Sequence, residues 1–267
     1  MIDTYIINLD RAKERWNKIT HRLLKCSDFN IKRVAAIDGK YENFSHIPFD
    51  IHQTVRNFGQ PLSTGTIGCY LSHVKVWEVF YNSQKDYCLV LEDDVTFDPH
   101  LLLNILKELE AIQENDFSTQ DRKIEWDLCS LQLNHRGTPL PIKRFKTGHK
   151  LCAYLSAVTG AGAYILTKQG ARCLLCRAFP LTLPVDHYYT KSHKLNLKFV
   201  GIEPRIVQQT SEFSFIEQMG REHLRNLSSW TRALCGFFRV KEEMHQALYN
   251  LRWSFPLYRQ YFHSQKS

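Results

Sequence analysis

Short apolar runs alternate with amphipathic segments along most of this chain, and this alternation constrains its fold more than any other feature. Residues 4–9 (TYIINL) form an apolar run typical of a strand, and residues 10–25 carry apolar side chains at helical spacing. Residues 31–39 (IKRVAAIDG) return to a strand pattern that ends in an Asp-Gly turn. A strand, a helix and a second strand within the first 40 residues predict an α/β fold with a mostly parallel sheet covered by helices.

The same alternation continues along the chain. The further predicted elements are a helix over 63–84, a strand over 87–95, a helix from Pro99, a strand over 126–133, a strand-like segment over 153–167, helices over 168–179 and 183–196, and an extended segment over 197–209. Ser63 or Thr64 is predicted to cap the first of these helices and Asp98 the second, because their side-chain oxygens accept hydrogen bonds from a helix's first turn. Residues 41–63 and 134–150 are predicted as loops.

The balance of charged residues favours an anionic partner. The chain has 35 Lys and Arg against 27 Asp and Glu, a formal net charge of +8. Nucleic acid, lipid head groups and a phosphorylated substrate all fit that charge. No RNP, helix-turn-helix or zinc-finger pattern accompanies it, so a nucleic-acid partner is not predicted.

Eight cysteines are scattered through the chain, and several lie inside apolar runs. The first residues show no signal-peptide pattern, and no stretch reaches the roughly 18 apolar residues of a membrane span. These features predict free thiols in a reducing compartment, and hence a cytoplasmic location. The one CxxC pair, Cys173 and Cys176, is predicted to lie on a helix with both thiols facing a core.

Three acids follow directly after the apolar residues 89–91. Glu92, Asp93 and Asp94 stand at the predicted carboxyl end of a buried strand, the edge at which open α/β sheets bind ligands. Adjacent carboxylates repel one another and are costly to desolvate, so a cation is expected among them. Glu92 and Asp94 suit a hard divalent ion that bridges a diphosphate. The alternative is a solvated acidic turn that precedes the next helix.

Six motifs in order resemble those of glycosyltransferase family 25, which includes bacterial lipooligosaccharide galactosyltransferases and animal collagen galactosyltransferases. They are YIINLDRAKERW, RVAAIDGK, TIGCYLSHVKVWEVF, YCLVLEDDVTFDP, TGAGAYILTKQGARCLL and PVDHYY, and the resemblance covers residues 3–216. Thr66 departs from the pattern, since the family usually carries Glu there, and this weakens the inference for the loop around the nucleotide.

The resemblance implies a GT-A type fold, in which a nucleotide-binding half and an acceptor half share one continuous sheet. It also implies a nucleotide-sugar donor, most often UDP-galactose, and transfer to a glycan hydroxyl with inversion to a β-linkage. The glycosyltransferase domain is expected over residues 1–220, and a basic helical segment over residues 221–267.

The chemistry of such a transfer assigns roles to the acids. Asp94, assisted by Glu92, is expected to bind Mn²⁺ or Mg²⁺ that neutralises the departing UDP, and Asp93 to reach the donor's sugar or ribose. Asp186, in PVDHYY, is the candidate base for the acceptor hydroxyl. The alternative for Asp186 is an acid at a helix start, favoured by the helix dipole alone. His187 is a candidate metal or phosphate contact, although a lone histidine is more often structural.

Residues at the carboxyl ends of the first two strands are candidates for holding the nucleotide. Asn8, Leu9 and Arg11 are expected to read uracil, and Arg15 to reach phosphate. Asp38 is expected to accept a ribose hydroxyl, unless it is a plain turn residue. Further candidates for the donor pocket are His73, which is alternatively a buried structural histidine, Gln209 and Ser211.

Residues 221–267 combine eight basic residues with three acidic ones and interleave them with aromatic side chains. Two interpretations stay open. The segment is a solvated basic helical pair that completes the fold, or it is a surface that lies on an anionic membrane. The second suits a lipid-linked oligosaccharide acceptor and predicts a protein that is peripheral at the inner face of the inner membrane.

The sequence therefore predicts a metal-dependent inverting glycosyltransferase, most readily a β-galactosyltransferase that builds a bacterial lipooligosaccharide or lipopolysaccharide glycan. An alternative of the same class uses UDP-glucose or a UDP-N-acetylhexosamine. An alternative of a different class is a catalytically silent carbohydrate- or lipid-binding module that kept the fold.

Overall fold

The computed structural model describes residues 1–114, 124–134, 137–210 and 229–264. The strands are β1 Ile2–Asn8, β2 Phe29–Ala35, β3 Tyr87–Glu92, β4 Val95–Phe97, β5 Leu128–Ser130, β6 Pro139–Arg144, β7 Lys150–Tyr154, β8 Ala163–Thr167, β9 Phe199–Glu203 and β10 Val207–Gln209. The helices are α1 Lys13–Leu23, α2 Ile51–Phe58, α3 Thr64–Tyr81, α4 Pro99–Glu114, α5 Lys168–Leu175, α6 Val185–Tyr189, α7 Ser192–Leu195 and α8 Ser229–Ser264.

An eight-stranded mixed sheet forms the centre of the fold, in the order β2-β1-β3-β8-β5-β9-β7-β6. β1 pairs in parallel with β2 and β3, and β5 pairs in parallel with β9. β8 and β7 are antiparallel to both of their neighbours, so six of the eight strands run in one direction. β4 and β10 form a separate antiparallel pair. The predicted α/β fold class is confirmed, with two reversed strands that the alternation did not indicate.

The sheet is buried on both faces. Cys88 and Val90 of β3 pack into a core that includes α3 side chains, whereas Leu89 and Leu91 face a second core built with α1 and α4. A strand covered on both faces needs a continuous apolar run, which is what residues 88–91 provide. β3 therefore leads from the centre of the molecule directly to the acidic turn.

The predicted caps of α3 and α4 are present. Ser63 Oγ accepts a hydrogen bond from the Thr66 backbone N–H (3.1 Å). Asp98 Oδ1 accepts one from the His100 backbone N–H (2.9 Å). Thr66, which departs from the family pattern, is buried and its hydroxyl lies 2.9 Å from that of Ser63. At this position the side chain therefore takes part in the cap itself.

Residues 41–63 were predicted as a loop, which is wrong, because they contain α2. Asp50 begins this helix by accepting a hydrogen bond from the Gln53 backbone N–H (2.8 Å), and Gly59 ends it with a φ of 96°. The helix has eight residues. Eight residues form only about two helical turns, and so short a periodic pattern does not distinguish a helix from a loop.

Residues 134–150 were also predicted as a loop, and they contain β6. Pro139 and Pro141 concealed this strand, because proline lacks the N–H that a ladder uses. β6 is the last strand of the sheet, and an edge strand tolerates proline on its open side.

The thiols of the CxxC pair do not both face a core. Cys173 is half-buried, whereas Cys176 is exposed. The prediction is wrong for Cys176 because α5 ends at Leu175, one residue earlier, so the helical periodicity no longer applies there. The cysteines at positions 26, 69, 88, 129, 152, 173 and 176 are free thiols.

The long helix α8 packs against β6 and β7 and also contacts α2 and α7. Asn250 Nδ2 donates to the Tyr154 carbonyl (2.7 Å), and Gln246 Nε2 to the Thr190 carbonyl (2.5 Å). Both side chains are buried, and satisfied buried polar groups hold a helix in one register. Among the described residues, no helix combines the length and the hydropathy needed to cross a bilayer.

Candidate active site

The carboxyl ends of β1 and β3 lie side by side at one edge of the sheet. Ile7 pairs in register with Glu92, so Asn8 ends its strand next to the acidic turn of Glu92, Asp93 and Asp94. The exposed fractions of the three acidic side chains are 19%, 11% and 18%. A solvated acidic turn does not describe this arrangement, because water reaches little of any carboxylate.

The Glu92 carboxylate is held from the protein interior by His73. His73 Nε2 lies 3.2 Å from Glu92 Oε1, and His73 Nδ1 lies 2.9 Å from the hydroxyl of Tyr164. Trp77 Nε1 donates a hydrogen bond to the same hydroxyl (2.8 Å). His73 is fully buried, so both ring nitrogens are used inside the protein. The structure thus supports the alternative of a buried structural histidine, and shows that this histidine contacts the Glu92 carboxylate.

The hydrogen bonds of Tyr164 determine which nitrogen of His73 is the donor. The Tyr164 hydroxyl accepts from Trp77, and burial raises the pKa of Tyr164 well above its ordinary value, so the hydroxyl keeps its proton. That proton points to His73 Nδ1, which accepts it. His73 Nε2 then carries a hydrogen and donates it to Glu92. The chain from Trp77 to Glu92 holds the carboxylate by directed hydrogen bonds.

Asp93 is tied to the end of β1 through both carboxylate oxygens. Asn8 Nδ2 donates to Asp93 Oδ2 (2.6 Å), and Arg15 Nη1 lies 3.5 Å from Asp93 Oδ1. Arg33 Nε donates to Asn8 Oδ1 (2.9 Å) and so fixes the orientation of the amide. Burial raises the pKa of Asp93 above its ordinary value. The predicted contacts of Asn8, Arg15 and Asp93 with the donor stay predictions.

Asp94 has a carboxylate oxygen without a partner. Gln209 Nε2 donates to Asp94 Oδ2 (3.1 Å) and lies 3.4 Å from Glu92 Oε2, while Arg15 Nη1 is 3.9 Å from Asp94 Oδ2. Asp94 Oδ1 is buried and makes no hydrogen bond. Burial, followed by the charge of Glu92, raises the pKa of Asp94 to about 6. Ionising this carboxyl costs free energy that a bound cation would offset.

The acidic turn fits a hard divalent cation. Glu92 and Asp94 converge on a single amide group of Gln209, and the unpartnered oxygen of Asp94 adds a free ligand atom. Carboxylate oxygens are the ligands that Mg²⁺ and Mn²⁺ prefer. Asp94 and Glu92 are therefore the residues that would hold such an ion, while the ion itself stays a prediction.

A second set of donor atoms lies behind Glu92. Cys69 Sγ, a ring nitrogen of His73 and an oxygen of Glu92 lie within 4.8 Å of one another. Burial, followed by the charge of Glu92, raises the pKa of Cys69 well above its ordinary value, so the sulfur stays protonated. The thiol donates to Glu92 Oε1 at 3.7 Å. In the metal-free chain this set therefore supports Glu92 by hydrogen bonds from His73 and Cys69.

A glycine bend connects Asp186 to the acidic turn. The Gly160 backbone N–H donates to Asp186 Oδ2 (3.4 Å), and the Gly162 carbonyl accepts from the Glu92 backbone N–H (2.8 Å). Gly160 has a φ of 113°, a conformation that a side chain disfavours. After burial itself, the charges of Asp186 and Glu92 both raise the pKa of Tyr189. The candidate base Asp186 and the candidate metal ligand Glu92 therefore lie on the same glycine bend, near Tyr189.

His187 has an aromatic neighbour. Its ring packs edge-to-face on Phe58, with ring centroids 5.2 Å apart. Together with Lys191, Lys194 and Glu242 it lines a cavity of about 260 Å³, which we call the α6–α8 cavity. Neither acid of the predicted metal pair lines this cavity. The assignment of His187 as a metal or phosphate contact stays a prediction that this placement does not support.

The loop after β1 and the turn after β2 are joined by an ion pair between Arg11 and Asp38. A Cβ on Gly39 would overlap the backbone at the beginning of α3, so glycine allows this turn to lie against the helix. Leu9 lies in the same loop as Arg11. Contacts of Leu9, Arg11 and Asp38 with the nucleotide stay predictions. Ser211 lies outside the described residues.

Three supporting residues, Cys69, Trp77 and Tyr164, were missed by sequence reasoning. Cys69, His73 and Trp77 follow one another at four-residue spacing, which places them on one face of α3. That spacing was the available signal. Tyr164 lies on β8, and nothing in the local sequence indicates that β8 pairs with β3.

The profile of the family described as glycosyltransferase family 25 (LPS biosynthesis protein) matches residues 1–189. This match covers more than two thirds of the chain and includes the acidic turn, α3 and Asp186. The chain belongs to glycosyltransferase family 25, and the predicted membership is confirmed.

Curated relatives share about a quarter to a third of their aligned residues with this chain. Human procollagen galactosyltransferase 2 is 26% identical over 192 residues, which covers 70% of this chain and 29% of the relative. Procollagen galactosyltransferase 1 of Danio rerio is 26% identical over 278 residues, with coverages of 93% and 44%. A rat protein described as probable inactive glycosyltransferase 25 family member 3 is 31% identical over 193 residues, with coverages of 70% and 32%. The chain thus spans less than half the length of these relatives.

Among solved structures, S. aureus TarS 1-349 resembles this chain with a TM-score of 0.42 and 12% identity. The similarity covers 95% of this chain and 73% of the TarS chain.

Proposed function

We propose that this chain is a metal-dependent, inverting glycosyltransferase of the GT-A type that uses a UDP-sugar, most readily UDP-galactose. The observation that carries the proposal is the buried, unpartnered Asp94 Oδ1 beside Glu92, at the same sheet edge that a glycine bend connects to Asp186. A nucleoside diphosphate leaving group is negatively charged, so its departure is favoured by a bound cation. The paired carboxylates at the sheet edge are suited to bind that cation.

Each residue has a task in this proposal. Asp94 and Glu92 would hold a Mn²⁺ or Mg²⁺ ion, and its charge would neutralise the departing UDP. Asp186 takes the proton of the acceptor hydroxyl as its oxygen bonds to the sugar's anomeric carbon. The bond from that carbon to the diphosphate breaks in the same step, which inverts the configuration. His73 orients Glu92, and Arg15 adds a positive charge beside the turn.

The donor and the acceptor are proposed on different grounds. The relatives named as procollagen galactosyltransferases support galactose as the transferred sugar. The family description, which includes LPS biosynthesis, supports a lipooligosaccharide or lipopolysaccharide glycan as the acceptor. UDP-glucose and a UDP-N-acetylhexosamine remain alternatives for the donor. A silent binding module is the alternative for the activity, and the relative described as probable inactive keeps it open.

A membrane contact through residues 221–267 is a second proposal, and the surface of α8 supports it. Four large apolar side chains that are each more than half exposed follow one face of this helix at spacings of three or four residues. They are Phe237, Val240, Met244 and Leu248, which we call the α8 stripe. Exposed Lys241 and Arg252 accompany the stripe. Apolar and basic side chains on one helix suit the surface of an anionic bilayer.

The division into a domain over 1–220 and a segment over 221–267 is likewise a proposal. The buried hydrogen bonds of Gln246 and Asn250 favour a segment that is attached firmly to the rest of the fold.

A panel of UDP-sugars tests the proposed activity. Release of UDP from each sugar is measured with and without Mn²⁺, by using the full chain. We expect manganese-dependent release that is fastest with UDP-galactose. If no UDP-sugar is hydrolysed or bound under either condition, the proposed activity with UDP-sugars is wrong.

A further inference from the structure

We propose that His193, Glu242 and His245 form a second metal site, for a transition ion such as Zn²⁺, that fastens α8 to α7. Ligand atoms of the three side chains all lie within 4.8 Å of one another. Glu242 and His245 are three residues apart on α8, a spacing at which two side chains share one helix face. His193 comes from α7. Two imidazole nitrogens and one carboxylate oxygen are a typical protein ligand set for zinc.

Gln246 selects the tautomer of His193 that a metal requires. Its Nε2 donates to the Thr190 carbonyl (2.5 Å) and to Ser192 Oγ (3.2 Å), so its Oε1 accepts from His193 Nδ1 (2.8 Å). With Nδ1 as the donor, His193 Nε2 of the neutral ring presents a lone pair. Metal-binding histidines usually have such an outer hydrogen bond.

The lone pair of His193 faces a carboxylate. His193 Nε2 lies 3.4 Å from Glu242 Oε2 and is buried without a hydrogen-bond partner of its own. A lone pair and a carboxylate repel each other, and a cation bound between them would remove the repulsion. His245 is the exposed member of the set, with its ring centroid 6.1 Å from that of His193.

One cation competes for this position. Lys194 Nζ lies 2.5 Å from Glu242 Oε2, on a side chain that is 42% exposed and therefore has room to turn into solvent. An ion-pair network of His193, Glu242 and Lys194 is thus the alternative to a metal site. Metal binding would stiffen the wall of the α6–α8 cavity, which Glu242 and Lys194 line together with His187 of α6, the residue next to Asp186.

The test measures Zn²⁺ binding to the purified full chain in an Asp94→Asn background, which removes a ligand of the acidic turn. We expect one retained ion per chain after dialysis. His245→Ala should weaken Zn²⁺ binding by about 100-fold or more. Because His245 is exposed, this variant should fold normally, which circular dichroism without metal checks. His46→Ala, at an exposed histidine outside the set, is the matched control and should bind as the background does.

Lys194→Met separates a metal site from an ion-pair network. Removal of the competing ammonium should tighten Zn²⁺ binding several-fold. Two results would each overturn the proposal: no Zn²⁺ retained in the Asp94→Asn background, or equal retention by the His245→Ala and His46→Ala variants.

Discussion

His73 Nε2 lies 3.2 Å from Glu92 Oε1, so a fully buried residue of α3 orients a carboxylate at the ligand edge of the sheet. The other side of the His73 ring is held by Tyr164, which Trp77 holds in turn. The Oε1 side of the Glu92 carboxylate is thus positioned from the core, while exposed Gln209 contacts Oε2.

Replacing His73 with Phe should lower both stability and metal affinity. Glu92 and Tyr164 would each lose a partner in buried surroundings, so we expect the free energy of unfolding to fall by about 2–4 kcal/mol. Loss of an outer-shell partner should also weaken Mn²⁺ binding by about 10–100-fold. Urea denaturation and titration calorimetry measure the two effects.

Trp77→Phe is the matched control for His73→Phe. It removes a hydrogen bond to Tyr164 but leaves the partner of Glu92 in place. We expect it to lower stability without changing Mn²⁺ affinity. Equal losses of Mn²⁺ affinity in the two variants would show that His73 has no specific role in positioning Glu92.

Asp94→Asn should abolish manganese-dependent binding of UDP. The amide keeps the shape of the side chain but removes the charge that holds a divalent ion. Titration calorimetry with UDP, with and without Mn²⁺, measures the effect. Asp28→Asn is the control, because Asp28 is an acid paired with Lys107 outside the acidic turn. UDP affinity that still depends on Mn²⁺ in Asp94→Asn would disprove the metal assignment.

The same substitution should change how stability depends on pH. The pKa of Asp94 in the folded chain is about 6, above its ordinary value of 3.8, so folding disfavours the charged form. The resulting destabilisation is absent below the ordinary pKa, grows as the pH rises towards 6, and is complete above it. Asp94→Asn should therefore raise the free energy of unfolding by on the order of 2 kcal/mol near pH 7, and change it little near pH 3.5.

Urea denaturation of the metal-free chain at both pH values measures this difference. Asp28→Asn again serves as the control. Equal stabilisation by Asp94→Asn at the two pH values would mean that the pKa of Asp94 is not raised.

Asp186→Asn should leave UDP affinity almost unchanged while turnover falls by about 10²–10⁴-fold, the range typical of a lost general base. The amide preserves the size of the side chain beside Gly160. Steady-state release of UDP from UDP-galactose, together with UDP affinity, measures the two quantities. A variant with near-normal turnover would remove Asp186 as the base, and Asp186 would then be only an acid at a helix start.

The α8 stripe should carry the proposed membrane contact. A double substitution, Met244→Asp with Leu248→Asp, should reduce sedimentation with phosphatidylglycerol vesicles by about tenfold, since it places charge on the apolar face. Val79→Asp, at an exposed apolar residue of α3, is the matched control. A wild-type chain that does not bind these vesicles would contradict the proposal.

Much of the fold could be predicted from local patterns. The apolar run of β3, the caps Ser63 and Asp98, and the three acids at a strand end are all features of short segments. Local patterns did not predict two elements. The helix α2 has only eight residues and gives too short a periodic pattern, and the prolines of β6 are atypical of a strand. The burial of Cys176 was also predicted wrongly, because α5 ends at Leu175 and the helical spacing no longer applies to the next residue.

The sequence by itself determined most of the strands and helices, though not α2 and β6, and it placed Glu92, Asp93 and Asp94 where a buried strand ends. Only the tertiary structure decided which side chains meet them. Tyr164 reaches His73 across 91 residues of sequence, and Gln209 reaches Asp94 across 115. The physical reason is that periodicity and capping act within a few residues, whereas strand order and register bring distant segments together.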